Sequence, residues 1–223
     1  MPIVGVDGCK TGWVSVWEMK DGRVEVRHFN VIHEIFECKP EVAVIDIPIG
    51  LPEIGGRLAD QQARSLLKDR ACCVFNAPLR GMLHCANHRD ACNLGRQIHR
   101  KGISIQTWAI IRKIKEVDDA ITSSLQGTVK EGHPEVSFAL MNGGQAISSK
   151  KASATGRDAR IKLLSAYFPE VCTVVQRHPG LREDVIDAYA MLWTARRIRD
   201  GSAVVLPDVP NKDSRGLLIQ IWA

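Results

Sequence analysis

The sequence of 223 residues lacks the marks of a secreted or membrane protein. Its N-terminus has no basic patch followed by a long apolar run, so no signal peptide is predicted. No apolar stretch approaches the roughly 20 residues that a membrane-spanning helix needs. The seven cysteines are odd in number, which favours reduced thiols over a disulfide framework. We therefore expect a cytoplasmic protein that does not enter a membrane.

Aromatic residues and phosphate loops are also scarce. With only two Tyr and five Phe, the sequence does not indicate a base-stacking platform for nucleic acid. The glycine-flanked turn "GCKTG" lacks the Gly-x-x-x-x-Gly-Lys spacing, which argues against a P-loop. No internal repeat or low-complexity linker divides the chain. The net charge of +5 permits an anionic partner but does not require one.

The first fifty residues have the pattern of a small sheet. Short apolar runs at 3–7, 12–19 and 24–29 predict three strands, and the Asp-Gly in "KDGR" predicts a hairpin between the last two. We expect an antiparallel meander, followed by a short helix at 31–38. The next run, 42–47, is apolar on both faces, as in a central strand. Its crossover helix would let it lie parallel to an earlier strand.

The rest of the chain is mainly helical. A strand ending near "VKEGHPE" separates two groups of helices, and Pro134 suits the start of a helix. The predicted helices span 58–68, 87–101, 106–125, 156–168 and 181–201. Short runs at 203–206 and 217–222 end the chain, and 143–155 is the best candidate for a mobile loop. We expect one α/β domain over 1–223, with a helical insertion at about 52–125.

Acidic residues stand where strands end or helices begin. Asp7 ends the first strand, Asp46 lies in the "AVIDIP" strand, and Asp184 and Asp187 share one helix face. Further acids, Glu131 and Glu135, flank the end of the "VKEGHPE" strand. Unpaired charges among apolar neighbours are unfavourable, and a shared Mg²⁺ or Mn²⁺ would resolve this. The simpler alternative, for Asp184 above all, is an acid that complements a helix dipole.

Two sets of phrases carry a resemblance to known families. "GVDGCKTGWV", "AVIDIP", "VKEGHPE" and "EDVIDAYA" are similar, in the same order, to the motifs of RNase H-like nucleases of the RuvC type. "IDIPIGLP", "EGHPEVSF" and "WTARRI" resemble the domain-of-unknown-function family 429, almost from end to end. That family is usually described as predicted RNase H-like nucleases. The resemblance implies an RNase H-like α/β fold, with a mixed five-stranded sheet flanked by helices.

The resemblance also implies roles for the acids. Asp7 matches the first-strand catalytic acid, Asp46 the fourth-strand acid, and Asp184 and Asp187 those of the last helix, as ligands of Mg²⁺ or Mn²⁺. The remaining candidate acids, at charged positions of the His-Pro-Glu motif, are Glu131 and Glu135. Many superfamily members carry Glu where Asp46 stands, which is one methylene longer. The implied reaction is phosphodiester hydrolysis with two metal ions about 4 Å apart.

Basic residues predict contacts with a nucleic-acid partner. They are frequent between 57 and 115 and again between 150 and 162, and phosphate contacts need such charge. The predicted substrate-binding residues are Lys10, His133, Lys151, Arg157 and Arg160. A solvated helix face is the alternative for both stretches. The sequence does not distinguish DNA from RNA, and it leaves the oligomeric state open, a homodimer included.

Three alternatives remain open. Nucleotide-binding phosphotransferases of the actin and sugar-kinase type begin with a similar strand and Asp-Gly loop, but they need two such domains. A nucleic-acid-binding protein that kept the fold without turnover is the second alternative. The third concerns the Cys and His residues at 72–92, which would form a zinc site if they converged. The adjacent pair Cys72 and Cys73 does not have the usual ligand spacing, so thiols are favoured.

Overall fold

A mixed sheet of five strands forms the centre of the protein, as the computed structural model of residues 1–223 shows. The strands are β1 (Ile3–Cys9), β2 (Gly12–Glu18), β3 (Val24–Phe29), β4 (Val42–Ile45) and β5 (Val129–Glu131). Their order is β3-β2-β1-β4-β5. The first three form the expected antiparallel meander, and β4 and β5 run parallel to β1. The crossover to β4 contains α1 (Ile32–Glu37). The predicted mixed five-stranded sheet is therefore confirmed.

The segment between β4 and β5 holds four α-helices. They are α2 (Leu58–Leu67), α3 (His88–His99), α4 (Ile105–Ala109) and α5 (Ile111–Ala120), with short 3₁₀ turns at Lys68–Cys73, Arg80–His84 and Leu125–Gly127. The prediction of one helix over 106–125 is wrong. Ile110 leaves the helical conformation (φ −104°, ψ 7°), and Ile121 is already extended. This break turns α5 so that Ile111, Ile114 and Val117 are buried in the core.

Four helices and a hairpin follow β5. They are α6 (Pro134–Met141), α7 (Ala154–Ser165), α8 (Val171–Arg177), α9 (Arg182–Arg199), β6 (Val205–Lys212) and β7 (Leu218–Trp222). The sequence did not predict α8. β6 is longer than the predicted run because its pairing with β7 resumes beyond an irregularity between Leu206 and Asn211. No helix combines the length and the apolar composition that a membrane crossing requires.

Each face of the central sheet has its own core. Val4 and Val6 of β1 pack on one face with α1 and α5. Ile3 lies on the other face, together with Val42 and Val44 of β4, against α9. Side chains alternate along a strand, so Gly5 and Asp7 share the face of Ile3. This alternation directs Asp7 towards α9.

Gly5 allows α9 to lie directly on β1. A Cβ atom at this position would lie 2.1 Å from the backbone oxygen of Ala188 and 2.1 Å from the backbone nitrogen of Leu192. Any side chain here would therefore push the helix away from the strand. The close packing brings the start of α9, including Asp187, to the carboxyl end of β1.

Candidate metal centre

Three carboxylates from separate parts of the chain converge at one edge of the sheet. One carboxylate oxygen from each of Asp7, Asp46 and Asp187 lies within 4.8 Å of the others. Asp7 is 9% exposed and Asp187 3%, and Asp46 is partly buried. No other group of three or more Cys, His, Asp or Glu residues comes together in this way.

The sheet topology explains this convergence. β1 and β4 are parallel neighbours whose register pairs Val6 with Ile45, so Asp7 and Asp46 follow at the same level. The backbone N–H of Asp46 donates to the oxygen of Val6 at 3.0 Å and continues the pairing. Both acids occupy the sheet face that α9 covers. α9 then adds Asp187 from its second turn.

The carboxylates raise one another's proton affinity. Burial raises the pKa of Asp7 well above its usual value, and the charges of Asp46 and Asp187 raise it further. Burial is also the main cause that raises the pKa of Asp46 to about 6. The charge of Asp187 in turn raises the pKa of Lys151. The site therefore favours any ligand that brings positive charge.

Lys151 is the only cation that forms an ion pair with any of the three carboxylates, and it does so with Asp187. Its Nζ donates to Oδ2 of Asp187 at 2.9 Å, and half of its side chain is exposed. One ammonium group balances one of three possible negative charges. A divalent cation would balance the remainder, and carboxylate oxygens are the ligands that Mg²⁺ and Mn²⁺ take. The charge and the donor set of the site thus fit a divalent metal ion.

Asp184 lies at the edge of the same site. It lines the cavity but is not among the three carboxylates that meet within 4.8 Å. Burial raises its pKa, and the neighbouring charge of Asp187 raises it further. Asp184 is therefore a partly buried neighbour of the three-carboxylate group rather than a member of it.

A cavity of about 360 Å³ opens above the carboxylates. Its floor is the edge of the sheet, and its far wall comes from the segment between β4 and β5. That wall consists of Arg70, Cys73, Phe75, Asn76, Thr107, Ile110 and Lys113. The wall contributes two basic side chains, Arg70 and Lys113, to the lining. The cavity therefore combines acidic and basic side chains around one space.

Glu131 is not brought to this cavity. Its Oε2 accepts hydrogen bonds from Nη2 of Arg57 at 2.6 Å and from the backbone N–H of Ile49 at 2.7 Å. The side chains of Glu131 and Arg57 are both buried, with Asp60 beside them. This acid joins β5 to the start of α2, which is a structural contact.

Glu135 borders the cavity but is already paired. Both of its carboxylate oxygens accept hydrogen bonds from Nη2 of Arg160, at 2.6 and 2.7 Å. Arg160 is 1% exposed and paired with Glu135, so its burial gives no support to the prediction that it binds substrate. A guanidinium group buried in the core needs such a partner, and the bidentate contact uses both oxygens.

The other predicted substrate-binding residues lie in three different places. His133 lines the cavity, and its buried Nδ1 has no hydrogen-bond partner. Lys151 stands at the cavity mouth. Arg157 lies on α7, outside the cavity, in a shallow depression that it shares with Asp184. Lys10 is exposed on the turn between β1 and β2, away from the cavity.

Sequence reasoning missed which bases of the insertion face the acids. Nζ of Lys113 lies 4.4 Å from the ring centroid of Trp13 and donates to the oxygen of Gly12 at 2.5 Å. The abundance of basic residues between 57 and 115 was the only signal, and it did not single out Lys113 or Arg70. The residues at 72–92 do not form a zinc site: Cys92 contacts His88, with Sγ 3.4 Å from Nε2, and no third ligand joins them.

Comparison with models of protein families gives a match over residues 5–212. The matched family is described as "Protein of unknown function (DUF429)". The chain belongs to this family. The span begins two residues before Asp7 and contains all three converging acids of this DUF429 protein. Neither the curated proteins nor the solved structures give a significant match.

Proposed function

We propose that this DUF429 protein is a metal-dependent nuclease that hydrolyses phosphodiester bonds at the site of Asp7, Asp46 and Asp187. The single observation that carries the proposal is the convergence of these three carboxylates with only Lys151 as a direct counter-charge. Three acids held so close have few structural uses, because their repulsion opposes folding. The arrangement is understandable when the site binds Mg²⁺ or Mn²⁺.

The strand order and the placement of the acids support an RNase H-like fold. The strand order β3-β2-β1-β4-β5 has an antiparallel meander followed by two parallel strands. The acids stand at the end of the first strand, just after the fourth strand and near the start of the last long helix. This is the placement that the resemblance to RNase H-like nucleases implies. Fold alone does not decide activity, so the proposal rests on the site.

The side chains divide the work of phosphodiester hydrolysis among them. Asp7, Asp46 and Asp187 would hold the metal ion, which when bound lowers the pKa of a water molecule and polarises a phosphoryl oxygen. Lys113 and Lys151 lie on two sides of the cavity and balance the charge of the phosphate. His133 also lines the cavity, and its Nδ1 has no hydrogen-bond partner within the chain.

A cleavage assay tests the proposal. Labelled single- and double-stranded DNA and RNA are incubated with the protein and Mg²⁺ or Mn²⁺, with EDTA as the reference. The matched variants are Asp187→Asn and Asp158→Asn, since Asp158 is an exposed acid of α7 that lies outside the cavity. We expect metal-dependent cleavage by the wild type and by Asp158→Asn, and none by Asp187→Asn.

Two other outcomes would reject the nuclease. Binding of nucleic acid without cleavage under any metal would favour a non-catalytic binding protein. Metal-dependent hydrolysis of ATP without cleavage of polynucleotide would favour a nucleotide-binding phosphotransferase. Equal cleavage by Asp187→Asn and the wild type would place the active site elsewhere.

A further inference from the structure

A second cavity adjoins the acidic one and has the opposite charge. Its volume is about 390 Å³, and it lies between the start of α2, the segment that follows Asn76 and the chain from His99 to Ser104. None of the three converging acids lines it. Asn76 lines both cavities, so the two share one wall. Oγ1 of Thr107, on the acidic side, donates to the backbone oxygen of Asn76 at 3.0 Å and holds that wall in place.

Positive charge dominates the second cavity. Arg57, Arg64, His99 and Lys101 line it, and no Asp or Glu does. Arg64 uses Nε to donate to the backbone oxygen of Val74 at 2.9 Å and forms no ion pair. Lys101 is exposed and has no acidic partner. Arg57 is already balanced by buried carboxylates. The uncompensated charge therefore comes from Arg64 and Lys101.

Unpaired hydrogen-bond donors surround these charges. Gly55, Gly56 and Gly102 line the cavity at positions exposed to solvent, and none of their backbone N–H groups donates to an acceptor in the chain. The buried Nδ1 of His99 also lacks a partner. Nη1 of Arg57, which is 1% exposed, is unpaired as well. Buried polar groups are normally paired, so these two side chains are open to an acceptor from outside the chain. Concave arrangements of backbone N–H groups beside cations are typical sites for phosphate groups.

We propose that this basic cavity binds a phosphate group of the polynucleotide that is cut in the adjoining acidic cavity. The choice of a strand phosphate rests on the proposed function, since the shared wall at Asn76 puts both cavities within reach of one strand. The binding of a phosphate group does not rest on it. The assignment of a phosphate site depends only on the unpaired donors and the charge of the basic cavity. A free phosphate compound would satisfy the same groups.

The test uses the intact protein and two probes. Inorganic phosphate binding is measured by calorimetry. Binding of a labelled single-stranded oligonucleotide is measured by fluorescence anisotropy in EDTA at several salt concentrations. The variants are Lys101→Gln, whose wild-type side chain forms no hydrogen bond or ion pair, and the double variant Arg64→Gln with Lys101→Gln. Lys20→Gln is the matched control, because Lys20 is exposed on the β2–β3 turn, outside both cavities.

We expect the double variant to lose phosphate binding and to bind the strand less tightly. The slope of log affinity against log salt should fall by about 0.7, because a single strand gives about 0.7 for each phosphate contact and the cavity holds one phosphate. Lys101→Gln alone should show a smaller fall, and Lys20→Gln none. Mn²⁺ binding should be unchanged in all three, which shows that the acidic site is intact.

Each outcome decides one part of the proposal. Unchanged phosphate binding in the double variant would overturn the phosphate site itself. Lost phosphate binding with an unchanged salt slope for the strand would overturn the strand assignment and leave a site for a free phosphate compound. If phosphate binding is lost and the salt slope falls, but no metal ion supports cleavage, the phosphate site is supported and the proposed nuclease activity is rejected.

Discussion

The substitution Asp46→Asn tests whether the charge of Asp46 in the acidic cavity lowers the stability of the folded protein. The pKa of this carboxyl is near 3.8 in the unfolded chain, and burial raises the pKa to about 6 in the folded protein. The folded state therefore loses stability as pH rises from about 4 to 6, and the full penalty is present above pH 6. Asn has the same shape and carries no charge at any of these pH values. The metal-free variant should be the more stable protein at neutral pH.

The size of the effect follows from the pKa difference. A difference of about two pKa units corresponds to roughly 3 kcal/mol. Asp46 is only partly buried, and solvent at the cavity mouth reduces this figure, so we expect the variant to gain about 1–3 kcal/mol. For a chain of this length that gain raises Tm by roughly 2–12 °C. The gain should shrink as pH falls from 6 towards 4, because the wild-type carboxyl is then protonated as well.

Urea unfolding in EDTA, followed by Trp fluorescence, measures the free energy of unfolding between pH 4 and 7.5. Trp13 and Trp17 are buried and report on the core. Asp158→Asn is the control, since it removes the charge of an exposed acid. Mn²⁺ at about 1,000 times its Kd should reverse the order, because it stabilises the wild type by about 4.1 kcal/mol. A metal-free Asp46→Asn protein less stable than wild type at pH 7.5 would refute the reasoning.

Three further predictions follow from the same contacts. Gly5→Ala should lower the free energy of unfolding by about 1–3 kcal/mol, because the new methyl group meets Ala188 of α9. It should also weaken Mn²⁺ binding, and calorimetry that finds wild-type affinity would contradict the role given to this glycine. Arg160→Met should lower the free energy of unfolding by about 3–5 kcal/mol, because Glu135 is left buried without its partner. Adding Glu135→Gln should recover part of that loss in urea unfolding, and no recovery would argue against the ion pair. Mn²⁺ affinity should fall below pH 6, by about tenfold per pH unit for each proton displaced, because the metal binds the ionised form of Asp46. Calorimetry at pH 7.5, 6.0 and 5.0 checks this, and a constant affinity would separate Asp46 from the metal site.

Much of the central sheet was predictable because its signals are local. Apolar runs and the Asp-Gly turn are enough to place β1, β2 and β3 as a meander. The buried character of 42–47 indicates a central strand after a crossover helix. The positions of Asp7 and Asp46 at strand ends are likewise visible in the sequence, and parallel pairing brings such ends to one edge. For these two acids, the linear pattern and the structure agree.

The remaining acids show where local reasoning fails. Asp184 and Asp187 lie three residues apart and share one helix face, yet only Asp187 meets the other carboxylates. The close contact at Gly5 sets the position of α9 on β1 and so decides between them. Glu131 and Glu135 belong to a motif that predicted a catalytic role, but each of them is paired with a buried arginine. Nothing near an acid in the sequence reveals a partner that lies 74 or 25 residues away.

The sequence by itself determined the strand pattern, the two strand-end acids and the excess of basic residues between 57 and 115. Only the tertiary structure decided that Arg70 and Lys113 line the same cavity as the acids and that Arg64 and Lys101 line a cavity of their own. A local pattern settles the conformation of a segment because its interactions lie within a few residues. The contacts of a charged side chain depend on distant segments, and only packing brings those segments together.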